Sequence, residues 1–239
     1  MTIGVIHTED EQSGGARRVR AGWSLAAAAL LLGSGTLQVL ASLERWVVYR
    51  ESWTRQDISV EDHLFDYYIV ADPWESLGIT AALFGVGLLL LAGGVLAAAR
   101  ATAQNRLDGM LATVVAVAFG IDGAHALISA ALDAPSVLQY PIQMWIPALV
   151  EVGGLVALAA RSWRVSRATS LAYVLLLGGT LPGYLFAMFL IAPTIAGYQS
   201  HDTTPWTETV IAATTVLAGA AMLVAAAASG FPGRGARDA

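Results

Sequence analysis

The sequence contains no cysteine and no lysine, and charged residues make up only 13% of it. The lack of cysteine excludes disulfides, iron–sulfur clusters, thiolate zinc sites and cysteine nucleophiles. A soluble domain of this length carries about 25% charged residues, so the composition is not that of a water-soluble globule. The net charge of −5 leaves no basic surface for a phosphate backbone, which excludes nucleic-acid binding.

Apolar residues, in contrast, are abundant, at 56% of 239 positions. A helix of about 20 apolar residues spans the hydrocarbon core of a bilayer, and a helix satisfies its own backbone hydrogen bonds there. We therefore predict an all-α membrane protein with one transmembrane domain of six helices, residues 21–229. The predicted spans are 21–43, 76–99, 109–132, 141–160, 169–192 and 209–229.

The arginines are distributed unevenly between the segments that connect the spans. If the N-terminus is cytoplasmic, ten of the 13 arginines lie in cytoplasmic segments, and only Arg45, Arg50 and Arg55 lie on the other side. The positive-inside rule then predicts that residues 1–20 and 230–239 are polar cytoplasmic tails. Basicity from arginine alone and the abundance of Ala and Gly are typical of a GC-rich genome, and we predict a bacterial plasma-membrane protein.

One connection is long, the first extracytoplasmic loop at residues 44–75. Ser59 followed three residues later by Asp62 is typical of the start of a helix. Apolar residues then recur at helical spacing until Pro73. The pattern predicts a short amphipathic helix that lies on the outer surface of the bundle.

The polar face of this predicted helix contains Asp62, His63 and Asp66. These residues are weak candidates for a metal site, because one histidine and scattered carboxylates carry no ligand-spacing signature of zinc. A solvated polar helix face is the favoured interpretation. No cofactor is implied by the sequence.

The most informative polar residues lie inside the predicted spans. The third span contains Asp122 and His125, and the fourth contains Glu151. Ionisable residues at the bilayer centre are costly and usually face the bundle interior. At 1.5 Å rise per residue, all three lie at roughly 12–16 Å below the same membrane surface. Because a short loop joins the two spans, we predict that the three side chains converge in one polar pocket between them.

Other polar residues lie on the same helix face or at a comparable depth. Ser129 shares a stripe with Asp122 and His125, at spacings of three and four residues. We expect further side chains from other spans to line the same space: Tyr184, Gln38, Thr180, Thr214 and Thr215.

Small residues and prolines predict how the spans pack. A repeat of small residues on the third span predicts close helix contact on the side away from the polar stripe. Its members are Ala112, Ala116, Gly120 and Ala124. Pro147 and Pro182 lie in the middle of spans and predict kinks.

Three functions are compatible with the polar centre. The cluster can be a structural hydrogen-bonded lock in a non-catalytic subunit of a membrane complex. It can be the site of a proton- or cation-coupled transporter or solute-binding membrane component, since His and buried carboxyl groups suit a proton relay. It can also supply ligands to an intramembrane metal-dependent enzyme. We favour transport or binding over an enzyme, with three expected partners: the lipid bilayer, a small cationic or neutral solute, and a membrane-protein partner.

Overall fold

The computed structural model describes residues 4–49, 62–139, 141–200 and 203–230, and it describes no side chains for residues 4–13, 62–63 and 141–144. Within the described residues all regular structure is helical. The α-helices are α1 (Gly4–Leu43), α2 (Thr80–Thr102), α3 (Arg106–Leu132), α4 (Pro141–Ser162), α5 (Arg167–Leu176), α6 (Leu181–Phe186), α7 (Ala192–Ala196) and α8 (Thr207–Gly230).

The helices have the length and composition that membrane spans require. Five stretches qualify alone, at residues 14–48, in α2 and α3, at residues 145–162 and in α8. A sixth qualifies if the bent pair Arg167–Gly179 and Leu181–Ala196 is counted as one span. The prediction of an all-helical bundle is therefore confirmed, with five or six helices that are long and apolar enough to span a membrane.

Helix α1 is longer than the first predicted span. It begins at Gly4 and not near Ala21, so most of the stretch predicted as a polar tail is helical. At its other end the helix widens into a π-helical turn, Glu44–Val48. This turn carries Arg45 into the protein interior, where its side chain is fully buried.

The helices pack in a closed circuit. Helix α1 contacts both α2 and α8, α2 contacts α3, α3 contacts α4, α4 contacts α5, and α5 returns to α8. The first and last spans of the described chain are therefore direct neighbours.

The closest approach of α2 and α3 occurs at a pair of glycines. A Cβ atom on Gly85 would lie 2.8 Å from the carbonyl oxygen of Gly123, and one on Gly123 would lie 2.9 Å from that of Gly85. A Cβ atom on Gly120 would meet nothing within 4 Å, and Gly120 lines an open apolar groove with Ala116 and Ala124. The prediction of close packing at Gly120 was wrong, because α2 approaches α3 on the side that carries Gly123.

The fifth predicted span is broken in the middle. Helix α5 passes into a 3-10 turn at Leu177–Gly179, Thr180 is extended, and α6 begins at Leu181 with a bend of 70°. Pro182 lies in the first turn of α6, where its missing N–H group has no helical partner to lose. The kink predicted at Pro182 is therefore a complete interruption, and we call α5 to α7 the broken span. Helix α4 continues through Pro147.

The amphipathic helix predicted in the first loop is wrong within the described residues. Only a 3-10 turn, Asp62–Phe65, is helical there, and residues 66–79 have no regular helix. We call residues 66–79 the inserted segment, because its larger side chains are buried in the bundle: Tyr67, Val70, Trp74 and Leu77. The buried residues are spaced three or four positions apart, so the sequence pattern resembled that of a helix although the chain is irregular.

Candidate functional site

A cavity of about 70 Å³ lies where α3, α4, the inserted segment and the broken span meet. We call it the carboxyl cavity after the two acidic side chains in its wall. That volume has room for at least one water molecule or a small polar group. Gly179 lines it at the interruption of the broken span. Polar side chains in the lining include Asp122, His125, Glu151, Tyr68 and Gln139.

The two carboxyl groups are close neighbours from different helices. Asp122 is half-buried on α3, while Glu151 on α4 is only 2% exposed. Both side chains line the same cavity, one from each of the two helices. The Oε1 atom of Glu151 is buried and has no hydrogen-bond partner. A buried acceptor in this state is unusual and costs free energy unless a ligand, water or ion satisfies it.

His125 lines the same cavity but is held by loops. Its Nε2 lies 2.8 Å from the carbonyl oxygen of Val70, and its Nδ1 lies 2.6 Å from the hydroxyl of Ser136. A carbonyl only accepts, so Nε2 carries a proton and donates it. Neither of these two partners is a carboxyl group. His125 instead connects α3 to the inserted segment and to the loop before α4.

Ser129 supports the same connection from one turn further along α3. Its hydroxyl accepts a hydrogen bond of 2.9 Å from the backbone N–H of Ser136 and lies 3.4 Å from Nδ1 of His125. Ser129 therefore contacts His125, as the shared stripe predicts, and fixes the loop that His125 holds.

Tyr68 connects the inserted segment to the broken span. Its hydroxyl donates a hydrogen bond of 2.8 Å to the carbonyl oxygen of Gly179, at the interruption. Burial first, and then the carboxyl groups of Glu151 and Asp122, raise the pKa of this hydroxyl well above its ordinary value of 10.0. Tyr68 therefore remains a donor at physiological pH. Its ring also stacks on Tyr184, with centroids 4.4 Å apart.

A second buried cluster lies at the same end of the bundle, and we call Arg45, Asp66 and Glu208 the ionic cluster. Nη1 of Arg45 is 2.6 Å from Oε1 of Glu208 and 3.4 Å from Oδ1 of Asp66. Trp46 Nε1 donates to the second oxygen of Glu208 at 2.7 Å. The ion pair therefore joins the end of the first span to the start of α8.

The sequence did not reveal the ionic cluster. Arg45 lies two residues after the first predicted span and Glu208 directly precedes the last one, so the sequence places both charges outside the spans. The sequence does contain one indication: the two residues have opposite charges, and both lie at span ends on the same predicted side of the membrane. That signal becomes informative only when α1 and α8 are known to be neighbours.

Tyr184 belongs to the ionic cluster and not to the carboxyl cavity. Its hydroxyl donates to Oδ2 of Asp66 at 2.6 Å and lies 3.2 Å from the hydroxyl of Thr203. Gln38 is also elsewhere, because its amide donates to Ser34 on the same helix at 2.9 Å. Both residues were expected to line the same space as Asp122 and Glu151, and neither lines the carboxyl cavity.

The predicted metal ligands are not gathered into a site among the described residues. Asp66 accepts hydrogen bonds from Tyr184, Thr203 and the backbone N–H of Tyr68. The side chains of Asp62 and His63 lie outside the described residues. No group of three His, Cys, Asp or Glu side chains in the described part of the chain is arranged to hold a metal ion.

Comparison with known proteins adds no assignment: no family model, no curated protein and no solved structure matches this chain. The class is therefore defined by the molecule itself, as an apolar helical bundle compatible with a multi-pass membrane protein.

Proposed function

We propose that this chain is a membrane transport or solute-binding protein. In this proposal a small cationic or neutral solute binds in the carboxyl cavity, and its binding is coupled to a proton held between Asp122 and Glu151. The observation that carries the proposal lies at Glu151, a residue that lines the cavity and whose buried Oε1 atom has no hydrogen-bond partner.

The chemistry follows from two carboxyl groups in one apolar site. Two adjacent carboxylates in a low-dielectric environment repel each other and lose hydration, so one of them retains a proton. In the proposal, that proton joins the two carboxyl groups by a hydrogen bond, which two ionised carboxylates cannot form. A cation that enters the cavity replaces the proton's charge, and a neutral donor satisfies the free oxygen instead. Either event links solute occupancy to proton binding.

The broken span supports the same proposal. Interrupted membrane helices expose backbone carbonyls inside a bundle, and transporters use such breaks at their binding sites. Here the interruption at Gly179 borders the carboxyl cavity. The inserted segment borders the cavity and is held on two sides of it, by the hydrogen bond from Tyr68 to Gly179 of the broken span and by the one from His125 of α3 to Val70. A movement of this segment would open the site at that end of the bundle.

The orientation belongs to the proposal as well. Arginine distribution favours cytoplasmic termini, a plasma-membrane location and an extracytoplasmic inserted segment. Reporter fusions after residue 239 and within residues 52–60 test this. We expect a cytoplasmic reporter to be active only at the first position, and activity of an externally folding reporter there would overturn the orientation.

The coupling is tested in proteoliposomes that contain a trapped pH dye. Sodium, potassium, guanidinium and tetramethylammonium chloride are each added outside, because these cations carry no proton across the membrane themselves. We expect at least one of them to drive proton movement through the wild type. Glu151→Gln and Asp122→Asn should abolish that movement, whereas Glu75→Gln, which changes an exposed carboxyl group, should preserve it.

A chemical label tests the site independently of transport. Dicyclohexylcarbodiimide reacts with protonated carboxyl groups in apolar surroundings, and we expect it to label Glu151 or Asp122, with protection by the active cation. If no cation moves protons and none protects the label, the coupling proposal fails and the structural lock becomes the better interpretation.

A further inference from the structure

A groove at the opposite end of the bundle from the inserted segment gathers three arginines. Arg17 and Arg20 project from α1, and Arg167 lies at the first residue of α5. We call this surface the arginine groove. It is an open depression of about 610 Å³ between α1, α5 and α8.

The arginines in the groove are available to a ligand. All three are exposed, and within the described part of the chain none of them forms an ion pair with a carboxylate. Arg17 and Arg20 are three residues apart and therefore share one helix face, whereas Arg18 points away from that face. Arg167 starts α5, where the helix dipole also favours negative charge.

The rest of the groove is mostly apolar, with Ser166 and Ser229 as its only other polar side chains in the described part of the chain. Its wall on α8 includes Val224 and Ala228, which are both exposed, so no other part of the described chain covers them. The surface therefore combines three cationic groups at the end of the bundle with an exposed apolar wall beside them, formed by Val224 and Ala228 of α8. A soluble anion would contact only the cationic groups and would leave the apolar wall uncovered.

We infer that the arginine groove binds an anionic phospholipid, with the headgroup phosphate between Arg17, Arg20 and Arg167 and an acyl chain against α8. Basic pockets between transmembrane helices bind anionic headgroups in this way, and arginine matches the geometry of a phosphate. This site is separate from the carboxyl cavity and does not depend on the proposed transport function.

Native mass spectrometry of the full chain in detergent tests the inference. Phosphatidylglycerol and phosphatidylcholine with identical acyl chains are titrated separately. We expect the first phosphatidylglycerol to bind at least tenfold more tightly than phosphatidylcholine. The variant Arg17→Gln/Arg20→Gln/Arg167→Gln should lose this preference.

The matched control removes the same charge elsewhere. The variant Arg18→Gln/Arg100→Gln/Arg164→Gln changes three exposed arginines that do not line the groove, and it should keep the preference. Equal losses in the two triple variants would mean that net charge alone attracts the lipid, and would overturn the site.

A last variant separates a lipid from a free anion. Ala228→Phe places a bulky side chain on the exposed apolar wall of α8, where the acyl chain would lie, and it changes no charge. It should weaken phosphatidylglycerol binding while leaving the melting temperature unchanged. Glycerol 3-phosphate at the same concentration should not displace the lipid. Displacement by glycerol 3-phosphate, or full binding to Ala228→Phe, would show that the arginines hold a soluble anion and would overturn the lipid assignment.

Discussion

The hydroxyl of Tyr68 donates a hydrogen bond to the carbonyl oxygen of Gly179, 2.8 Å away, and so satisfies a backbone group that the broken span leaves without a helical partner. An interruption inside an apolar bundle is tolerated only where such groups find other partners. The inserted segment thus completes the backbone hydrogen bonding of a helix to which it is not adjacent in sequence.

This hydrogen bond predicts an asymmetry between two buried tyrosines. Tyr68→Phe should lower the free energy of unfolding by about 1–3 kcal/mol, because a buried acceptor is left unpaired. Tyr173→Phe is the control, since the hydroxyl of Tyr173 is buried and has no hydrogen-bond partner. It should cost little or be stabilising. Thermal unfolding in detergent measures both, and equal losses would contradict the role assigned to Tyr68.

The ionic cluster predicts a large cost for removing a single partner. Arg45→Met should destabilise the bundle by about 3–5 kcal/mol, because Glu208 is then left as an uncompensated buried charge. The double variant Arg45→Met/Glu208→Gln should recover part of that loss. Denaturant unfolding of both variants checks the difference, and a double variant that is less stable than Arg45→Met would contradict it.

The half-exposed ion pair between Arg161 and Asp108 offers the contrast. Arg161→Gln should cost only about 0–1 kcal/mol, since solvent screens that pair. A cost comparable with that of Arg45→Met, measured in the same unfolding assay, would mean that burial does not set the size of these effects.

His125 predicts how firmly the inserted segment is held. His125→Ala removes contacts to both Val70 and Ser136, so amide hydrogen exchange should increase at residues 66–75 and change little in α2. His125→Gln keeps an N–H donor for Val70 and should restore part of the protection. Exchange mass spectrometry resolves the two regions, and unchanged protection at residues 66–75 would show that His125 does not hold the segment.

Two glycines on α3 should respond in opposite ways to the addition of one methyl group. Gly123→Ala brings a Cβ atom to 2.9 Å from the backbone oxygen of Gly85, so α2 and α3 must separate and stability should fall by about 1–3 kcal/mol. Gly120→Ala meets open space and should be neutral or slightly stabilising. Thermal unfolding distinguishes them, and a larger loss for Gly120→Ala would contradict the observed crossing.

Quantities fixed by helix geometry were predictable from the sequence. The spans follow from apolar length, and the constant rise per residue places Asp122 and Glu151 at one level, where both line the carboxyl cavity. The inserted segment was not predictable, because the burial of an irregular chain depends on gaps between helices that no local pattern records. The choice between Gly120 and Gly123 likewise depends on which side of α3 its neighbour approaches.

Arg45 and Glu208 were missed for a related reason. A charge at the end of an apolar run normally indicates the membrane interface, and the local sequence contains nothing that distinguishes an interface charge from a buried one. Only the contact between α1 and α8 gives these two charges a shared interior position.

The position of this ion pair has a consequence for how the chain is made. Arg45 and Glu208 are 163 positions apart in the chain, so the arginine is synthesised long before its main counterion. Until then Arg45 must remain hydrated at the membrane surface or rely on Asp66. Burial of Arg45 beside Glu208 therefore has to wait until α8 has been synthesised and has packed against α1.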